Sequence, residues 1–475
     1  MTPVSLWLTG LAAAPLGAVV GVALDLEAER LRRLAVLCAG AMFAIAATLF
    51  VVPELHSFQI PWPGAAHAFL GQSMLRSDAF SSALIPLPAA LWLLTVAVTP
   101  RSRLDRAGLP RTALSTLATT LAFLTESPAL LMLFWTASVA MFLAALSPPD
   151  ARRGQRVAAA YLAVATVLLG VGIALVTTAA TPGSRAEQLG LWLIITAALI
   201  RKGIFPFHAW IPEVFDRGRL GPAILFSAPQ MGSYVVAVLV VPRASPETLR
   251  VVAILALVTA VYGAALTLFQ RDARRACGYL FVSQSALVLA GLDCTGVEAL
   301  GGALVLWISS ALAFAGVARC VLVLEARRGR LDLTTHHGGY EQMPILAASF
   351  LVLGMACTGF PGTLGFVGEE LLVEGAVGAF PVLGFAVVVA VALTGLAVLR
   401  MYFSLFCGAR GISVQLRLRR REAIVFGAAA AFLVLNGLVP GPIVASRLAA
   451  SHTLLAQRTA FLTPGTPRTL THRCR

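Results

Sequence analysis

A small group of ionisable side chains lies within an apolar stretch of the sequence. Arg201 and Lys202 precede Pro206 by five and four residues, and His208 follows it by two. Lys202 is the only lysine in the 475 residues, because every other fixed positive charge is an arginine. Arginine stays protonated under ordinary conditions, whereas a desolvated lysine can release its proton near neutral pH. The sequence therefore predicts that Lys202 takes up and releases protons. His208 titrates near neutral pH too, although a histidine at a helix break also serves as a capping group.

A second group of charges follows a stretch rich in proline and glycine. Pro361, Gly362 and Gly365 precede Glu369 and Glu370 within another apolar run. A charged side chain at the centre of a membrane helix costs about 2.5 to 3.5 kcal/mol on insertion scales. We therefore expect both groups of charges to face a polar interior that conducts ions. The alternative is that the two basic residues form a structural ion pair with the glutamates.

The chain that positions these groups has the composition of a membrane protein. Hydrophobic residues make up 58% and charged residues 12% of it, and the mean hydropathy is +0.85. A soluble domain of this length does not have such a composition. Fourteen apolar runs are long enough to cross a hydrocarbon core of about 30 Å. They lie roughly at 5–24, 34–53, 80–99, 111–125, 129–147, 157–179, 188–212, 221–242, 250–269, 276–292, 297–324, 343–374, 380–406 and 423–445.

The arginines indicate how these spans are oriented. Twenty-three lie in the odd-numbered connections and four in the even-numbered ones. Since basic loops stay on the cytoplasmic side, this asymmetry predicts a multi-pass protein of a bacterial inner membrane with both termini outside. It also attributes the net charge of +14 to membrane orientation and not to binding of nucleic acid. Five arginines after the last span, among them Arg447 and Arg458, lie on the predicted outer side and do not fit this rule.

Two of the predicted spans are interrupted by helix-breaking residues. Proline removes a backbone donor, and glycine lowers helical preference further, so the seventh and twelfth spans should break at mid-depth. Such breaks mark ion pathways in membrane proteins. Because they are five spans apart, we predict an all-α fold of about 14 transmembrane helices with two inverted five-helix repeats. The predicted units are 1–110 with an outer hairpin loop, the repeats 111–242 and 250–410, and 411–475 with helix 14 and a basic tail.

The sequence shows no motif for a cofactor or a metal. The seven cysteines form no CxxC, and His336 and His337 have no third ligand nearby. Neither a P-loop nor a dinucleotide fingerprint is present. We therefore expect no cofactor, no metal and no catalytic site in this chain.

Several segments together resemble one family of membrane proteins. "RKGIFPFHAWIPEVF" followed by "GPAILFSA" resembles the broken seventh helix of the antiporter-like family, and "MPILAASFLVLGMACTGFPGTLGFVGEELL" resembles its broken twelfth helix. "LFQRDARRACGYLFVSQSALVLAGL" is similar to its tenth helix, "LRSDAFSSAL" to the start of its third and "VLRMYFSLFCG" to the end of its thirteenth. The family comprises proton-pumping membrane subunits of respiratory complex I, Mrp sodium/proton antiporters and membrane-bound hydrogenase subunits. The resemblance implies fourteen helices with outer termini and inverted repeats.

The resemblance also assigns the pathway residues. By spacing, the seventh-helix lysine of the family falls on Arg201, with Lys202 next to it, and Glu369 matches the acidic position of the twelfth helix. The glutamate usual in the fifth helix is replaced by Thr136. The eighth-helix segment "SAPQMGSYVV" lacks the usual lysine, and the eleventh helix has Ser310 and Phe314 where the family has histidine or lysine. Independently of the resemblance, Arg319 is a charge within the eleventh helix that could extend to the cytoplasmic face. The resemblance thus implies a row of charged residues across the membrane domain that is retained at both ends but lacks the usual charges in the middle.

These observations lead to one main hypothesis and two alternatives. We expect an ion-translocating subunit, with protons as the expected ion and sodium as the other, in a complex related to NADH:quinone oxidoreductase and Mrp antiporters. Its partners would be other membrane or soluble subunits and membrane lipids, and any oxidoreductase activity would belong to those subunits. The first alternative is the proton-conducting half of an inorganic-carbon accumulating complex with a zinc-containing partner. The second is a membrane scaffold that does not conduct.

Overall fold

The computed structural model describes residues 3–62, 73–100, 105–146, 152–179, 181, 183–294, 296–379, 381–408 and 418–462. These residues form helices almost throughout, together with one two-stranded sheet. The elements that precede the first five-helix unit are α1 Pro3–Ala23, α2 Ala28–Ala47, α3 Pro53–His56, β1 Phe58–Pro61, β2 Ser73–Ser77 and α4 Pro86–Val98.

The two five-helix units follow one another along the chain, and the two parts of a broken span count as one helix of a unit. The first contains α5 Gly108–Ala122, α6 Pro128–Ala145, α7 Arg152–Thr178, α8 Arg185–Lys202, α9 Trp210–Arg217, α10 Leu220–Ser227 and α11 Met231–Val235, which continues as a π-helix over Val236–Val240. The second contains α12 Pro246–Phe269, α13 Ala273–Asp293, α14 Val297–Arg328, α15 Pro344–Cys357, α16 Leu364–Ala379 and α17 Pro381–Phe406. Two helices complete the chain, α18 Arg420–Leu438 and α19 Gly441–Leu462.

The helices account for the fourteen predicted spans. In the described part of the chain, eleven helical segments are long and apolar enough to cross a membrane. The third and fourth spans are the shorter helices α4 and α5, and the twelfth consists of α15 and α16 in succession. Because the spans alternate in direction, the first unit begins at one face and the second at the other, so the units have inverted orientations.

The faces of the molecule differ in what covers them. The hairpin face is the one on which β1 and β2 lie, and the arginine-rich face is the opposite one. The two strands pair antiparallel, and the Arg76 amide donates to the Leu124 carbonyl at 2.7 Å, which fixes the sheet at the end of α5. On the same face, α19 contacts the start of α14, where a Cβ on Gly301 would lie 2.7 Å from Leu448 Cδ2.

Both predicted helix breaks are present. Helix α8 ends at Lys202 because Gly203 adopts a left-handed backbone with φ of 67°, and a 3₁₀ turn over Phe207–Ala209 leads into α9. Helix α15 ends at Cys357, and the chain passes Gly359 at φ 57° before α16 begins at Leu364. A third break, which the sequence analysis did not predict, separates α10 from α11 at Gln230, whose φ is 56°.

Helices α13 and α14 form the centre of the molecule and are buried along nearly their whole length. Glycines allow a second helix to pack directly on this centre. A Cβ on Gly302 would lie 2.5 Å from the Leu372 amide nitrogen, and one on Gly368 would lie 2.8 Å from the Leu306 amide nitrogen. Small residues at such positions let membrane helices approach backbone to backbone. This close contact between α14 and α16 fixes Glu369, the next residue, beside the central helices.

Candidate functional site

Lys202 lies at the end of the first half of the broken seventh span. Its side chain is 1% exposed, and the ammonium donates to Gln230 Oε1 at 2.9 Å and to Ser233 Oγ. The stem of the lysine passes Gly232, where a Cβ would lie 2.8 Å from Lys202 Cγ. No carboxylate of the described residues lies within 4.0 Å of the ammonium. The only lysine is therefore held by neutral groups alone at direct contact distance.

Gln230 extends this contact to the central helices. Its left-handed backbone interrupts the eighth span and leaves the side chain between α8 and α14, where Gln230 Nε2 donates to Ser310 Oγ at 3.3 Å. A second polar contact fixes the lysine backbone, because Ser285 Oγ on α13 donates to the Lys202 carbonyl at 3.2 Å. The sequence analysis missed Gln230 and Ser233. The only sequence signal for them is the proline of "APQMGS", which precedes Gln230.

Arg201 occupies a different pocket from Lys202. Its guanidinium lies between the rings of Trp135 and Phe226, 4.2 Å from each centroid, and Nη2 donates to Ser138 Oγ at 2.9 Å. Cation–π contacts of this kind stabilise a guanidinium that is removed from water. Thr136 faces the exposed side of α6, and its hydroxyl donates to the Met132 carbonyl. Trp135 and Ser138, rather than Thr136, are thus the α6 residues that contact Arg201.

The two acidic residues of the twelfth span point in different directions. Glu369 is 5% exposed and packs at the helix break, where a Cβ on Gly359 would overlap its carboxylate. Among the described residues, its Oε1 has no hydrogen-bond partner. Glu370 is exposed. Across the helix contact, Ser309 Oγ lies 3.3 Å from the position of a Cβ on Gly365. Neither glutamate pairs with Arg201 or Lys202, so the described residues do not form the structural ion pair considered as an alternative.

The remaining predicted pathway residues lie away from Lys202. Arg319 is fully buried in α14 and donates to Thr95 Oγ1 at 2.6 Å and to the Gly221 carbonyl at 2.8 Å, which joins α4, α10 and α14. His208 Nε2 lies 3.4 Å from Tyr262 Oη at the partly exposed rim of the first unit. Of the helix-breaking residues, Pro206 precedes the 3₁₀ turn of the seventh span, and Pro361 with Gly362, whose φ is 88°, lies between α15 and α16. The prediction for Gly365 was wrong, because this glycine lies inside α16, where it allows close packing on the Ala356 carbonyl.

Asp293 is a buried acid that the sequence analysis did not identify. It is the last residue of α13 and is 2% exposed, and neither carboxylate oxygen has a hydrogen-bond partner in the part of the chain that the structure describes. The carboxylate interacts electrostatically with Lys202. An acid at the end of an apolar run ordinarily reaches the membrane surface, which is why "LVLAGLDC" carried no signal.

Ion pairs lie at both ends of the helix assembly. On the hairpin face, Arg76 bridges Asp78 at 3.1 Å and Glu126 at 2.8 Å. Burial raises the pKa of the Glu126 carboxyl above its ordinary value, and the Arg76 guanidinium opposes that rise. On the arginine-rich face, Arg274 Nη2 contacts Glu325 Oε2 at 2.5 Å in a buried ion pair. The neutral contacts of Lys202 thus lie between two ion-paired layers.

Polar side chains of several helices form a line across the middle of the molecule. Hydrogen bonds run from Lys202 through Gln230 to Ser310, and Ser309 and Glu369 lie on the far side of α14. Amides, hydroxyls and intervening water can pass a proton along such a line, but only an amine or a carboxylate can store one. The arrangement therefore suits movement of protons between Lys202 and Glu369.

Comparison with known families gives a match over half of the chain. The family model described as "NADH:quinone oxidoreductase/Mrp antiporter, TM" matches residues 157–394. This range includes both helix breaks, and with them Lys202, Gln230, Asp293 and Glu369.

Curated relatives resemble the same region. NADH-quinone oxidoreductase subunit M of Mycobacterium tuberculosis is 26% identical over 255 residues, which cover 52% of this chain and 46% of the relative. The subunit M of Pseudomonas aeruginosa is 28% identical over 274 residues, covering 55% and 53%. NADH-ubiquinone oxidoreductase chain 4 of Acanthamoeba castellanii is 29% identical over 195 residues, covering 40% and 39%. The chain thus matches about half the length of these relatives or less.

Solved structures share the fold over nearly the whole chain. A chain of respiratory complex I from Thermus thermophilus superposes with a TM-score of 0.84 and 22% identity, covering 94% of this chain and 99% of that one. A chain of the Mrp complex from Dietzia sp. gives a TM-score of 0.85 at 18% identity, covering 97% and 99%. A chain of an archaeal membrane-bound sulfane sulfur reductase gives 0.82 at 18%, covering 91% and 76%.

Proposed function

The chain belongs to the NADH:quinone oxidoreductase/Mrp antiporter membrane family, and on this premise we propose that it conducts protons as one subunit of a larger membrane complex. One observation carries the proposal. Lys202 is buried at the break of the seventh span and held by Gln230 and Ser233, with no carboxylate of the described residues at contact distance. A lysine in such a place is able to exist as ammonium or as neutral amine, since no direct ion pair fixes its charge.

Both protonation states of this amine have partners. The ammonium donates to the Gln230 oxygen and the Ser233 oxygen, and after loss of a proton the amine lone pair can accept from the Ser233 hydroxyl. A change of charge therefore leaves no buried polar group orphaned at Lys202. Arg201 carries a separate positive charge, which the rings of the neighbouring aromatic pocket stabilise.

Glu369 is the second storage group in the proposed pathway. It lies on the opposite side of the central helix α14 from the Lys202 contacts, and one of its oxygens is free to accept a proton or a water. Protonation of one group changes the electrostatic potential at the other, so the two titrate as a coupled system. In this way a change of protonation in this subunit would alter the protonation of groups in neighbouring subunits along the membrane plane.

Protons suit this site better than sodium ions. A sodium site needs several oxygen ligands in a cage, whereas the polar centre contains the ammonium of Lys202 with Arg201 next to it. Two positive charges repel a metal cation but leave proton transfer through the amine open. No specific observation favours the inorganic-carbon alternative or the non-conducting scaffold.

The proposed setting is the inner membrane of a bacterium, with the hairpin face outside. The arginine asymmetry between the connections supports this orientation. Partner subunits are supported by the related folds, because those chains belong to multisubunit complexes. Redox chemistry, where the complex has it, belongs to those partners.

Proton flux into sealed vesicles tests the proposal. The chain is reconstituted with its co-purifying partners as wild type, Lys202→Ala, Glu369→Gln and the control Glu374→Gln, which changes an exposed acid on the same helix as Glu369. We expect the first two variants to stop flux without loss of assembly and the control to conduct normally. Equal flux in all four assembled proteins would overturn the proposal and favour the scaffold.

A further inference from the structure

We propose that Asp293 receives the proton released by Lys202 and delivers it to the hairpin face. This inference rests on the proposed function and adds a third storage group to the pathway. Its first support is the environment of the carboxylate. Asp293 is 2% exposed, and neither of its oxygens accepts a hydrogen bond within the described residues.

A structural role does not explain a carboxylate in this position. Asp293 is the C-terminal residue of α13, where the helix dipole disfavours an anion and free carbonyls offer no donor. Two of the other three buried acids of the described chain have arginine partners, and the third is Glu369, the second storage group of the proposed pathway. Glu325 contacts Arg274 at 2.5 Å, and Glu422 contacts Arg327 at 2.7 Å. Asp293 lacks such a partner, so a stabilising ion pair is not the reason for its burial.

The position of Asp293 relative to Lys202 supplies the second support. The Ser285 hydroxyl contacts the Lys202 carbonyl, which places the lysine backbone at the level of Ser285. Asp293 follows eight residues later on the same helix, about 12 Å nearer the hairpin face at 1.5 Å per residue. The lysine side chain extends over part of this distance toward Asp293. Its ammonium contacts Ser233 on α11, the helix that runs toward the same face.

The charges of the two groups act on each other. The Lys202 ammonium and the Asp293 carboxylate interact electrostatically, although they are more than 4.0 Å apart. Within the described chain, the Asp293 carboxylate also acts on the neighbouring Cys294 thiol. A proton transfer between Lys202 and Asp293 therefore neutralises a separated pair of opposite charges and needs at least one bridging water.

The proposed step conserves atoms and charge. An N–H bond of the Lys202 ammonium breaks while the bridging water accepts that proton, and the water passes one of its own protons to an Asp293 oxygen. The products are a neutral amine, an unchanged water and a neutral carboxylic acid. The acid then loses its proton to water at the hairpin face, and the carboxylate is restored for the next cycle.

Vesicle flux measurements test this step with Asp293→Asn, Asp293→Glu and the control Glu298→Gln. Glu298 is an exposed acid five residues further along the chain at the same face. We expect Asp293→Asn to reduce flux about a hundredfold, the lower end of what loss of a proton-transfer group costs. Asp293→Glu should recover part of the flux, and Glu298→Gln should match wild type.

Infrared difference spectroscopy supplies a readout besides flux. A carboxylic-acid carbonyl band that titrates in wild type should be absent in Asp293→Asn and shifted in Lys202→Ala. Full flux in Asp293→Asn, with Lys202→Ala inactive, would overturn the role of Asp293 and leave the proposed function standing. Absence of flux in the wild type would overturn both. Loss of assembly in Asp293→Asn and in Asp293→Glu would show a structural role and also overturn the inference.

Discussion

Lys202 Nζ and Gln230 Oε1 lie 2.9 Å apart between the broken seventh and eighth spans. This contact joins two interrupted helices at the places where each leaves regular geometry, Gly203 after the lysine and Gln230 itself. An amide partner tolerates gain and loss of charge on the amine, whereas a carboxylate would fix the ammonium. The mobility of a proton at this point therefore depends on the neutrality of Gln230.

Substitution of Lys202 by arginine should stop proton conduction and leave the assembled protein intact. A guanidinium keeps the positive charge but does not release its proton at any ordinary pH. The measurement is proton flux in vesicles, with assembly checked by gel filtration of the detergent-extracted complex. The variant Arg420→Lys serves as a control for the same exchange of cation types at the exposed start of α18. Normal flux in Lys202→Arg would show that the lysine acts only as a fixed charge.

Substitution of Gln230 by glutamate should slow conduction. A carboxylate within hydrogen-bond reach of Lys202 favours the ammonium form and lowers the fraction of neutral amine, so flux should fall about tenfold for each 1.4 kcal/mol by which the ammonium is favoured. The flux of Gln230→Glu is compared with that of Ser310→Ala, which removes only the acceptor on the far side of the glutamine. Unchanged flux in Gln230→Glu would contradict a role for neutral partners.

Substitution of Gly365 by alanine should destabilise the twelfth span. A Cβ at this position overlaps the Ala356 carbonyl, so the two halves of the broken span would have to separate. Overpacking of this kind costs about 1 to 3 kcal/mol. Thermal unfolding of the extracted protein measures the effect. Gly427→Ala in α18 is the control, because no atom lies within 4 Å of a Cβ there, and equal stability of the two variants would be evidence against the close contact.

Substitution of Arg447 by glutamine should loosen α19 from the hairpin face. The guanidinium is fully buried and donates to the Phe80 carbonyl at 3.1 Å and to the Ala79 carbonyl at 2.8 Å. Loss of these charged donors leaves buried carbonyls unsatisfied, at a cost of about 1 to 3 kcal/mol. Limited proteolysis should then cleave α19 faster than in wild type. His452→Gln, an exposed change on the same helix, should not alter the cleavage rate.

The same contacts explain why the last arginines do not follow the charge rule. Arg447 donates to carbonyls before α4, and Arg458 donates to the Val241 carbonyl at 2.6 Å, just after the π-helix. Arg458 therefore satisfies a free carbonyl at a helix end, and Arg447 satisfies carbonyls of the turns before α4. The sequence could not show this, because the partners are more than two hundred residues away.

Features with a local cause were predictable from the sequence. Hydropathy revealed the spans, and proline with glycine revealed the breaks of the seventh and twelfth spans, since these effects act within a few residues. The break at Gln230 was missed because a single proline precedes it and no glycine accompanies the left-handed residue. An amide in that conformation is uncommon but allowed.

Features that depend on which side of a helix faces inward were not predictable. Helix α6 is apolar almost all round, so its sequence has no periodicity that distinguishes the side of Thr136 from that of Ser138. The same holds for the end of α13, where only the packing of neighbouring helices determines that Asp293 is buried. The position of a residue along the chain thus indicated its depth within a span. Which residues it contacts could be seen only in the assembled helices.

The burial of the sole lysine has a practical consequence for chemical labelling. Amine-reactive reagents that dissolve in water find one side-chain amine in this chain, and that amine is 1% exposed. Its rate of acylation therefore reports how often the centre of the protein opens to a small solute, without interference from other lysines. Acylation read at the peptide that contains Lys202 therefore reports interior hydration, and the same measurement can be repeated for every variant that retains Lys202.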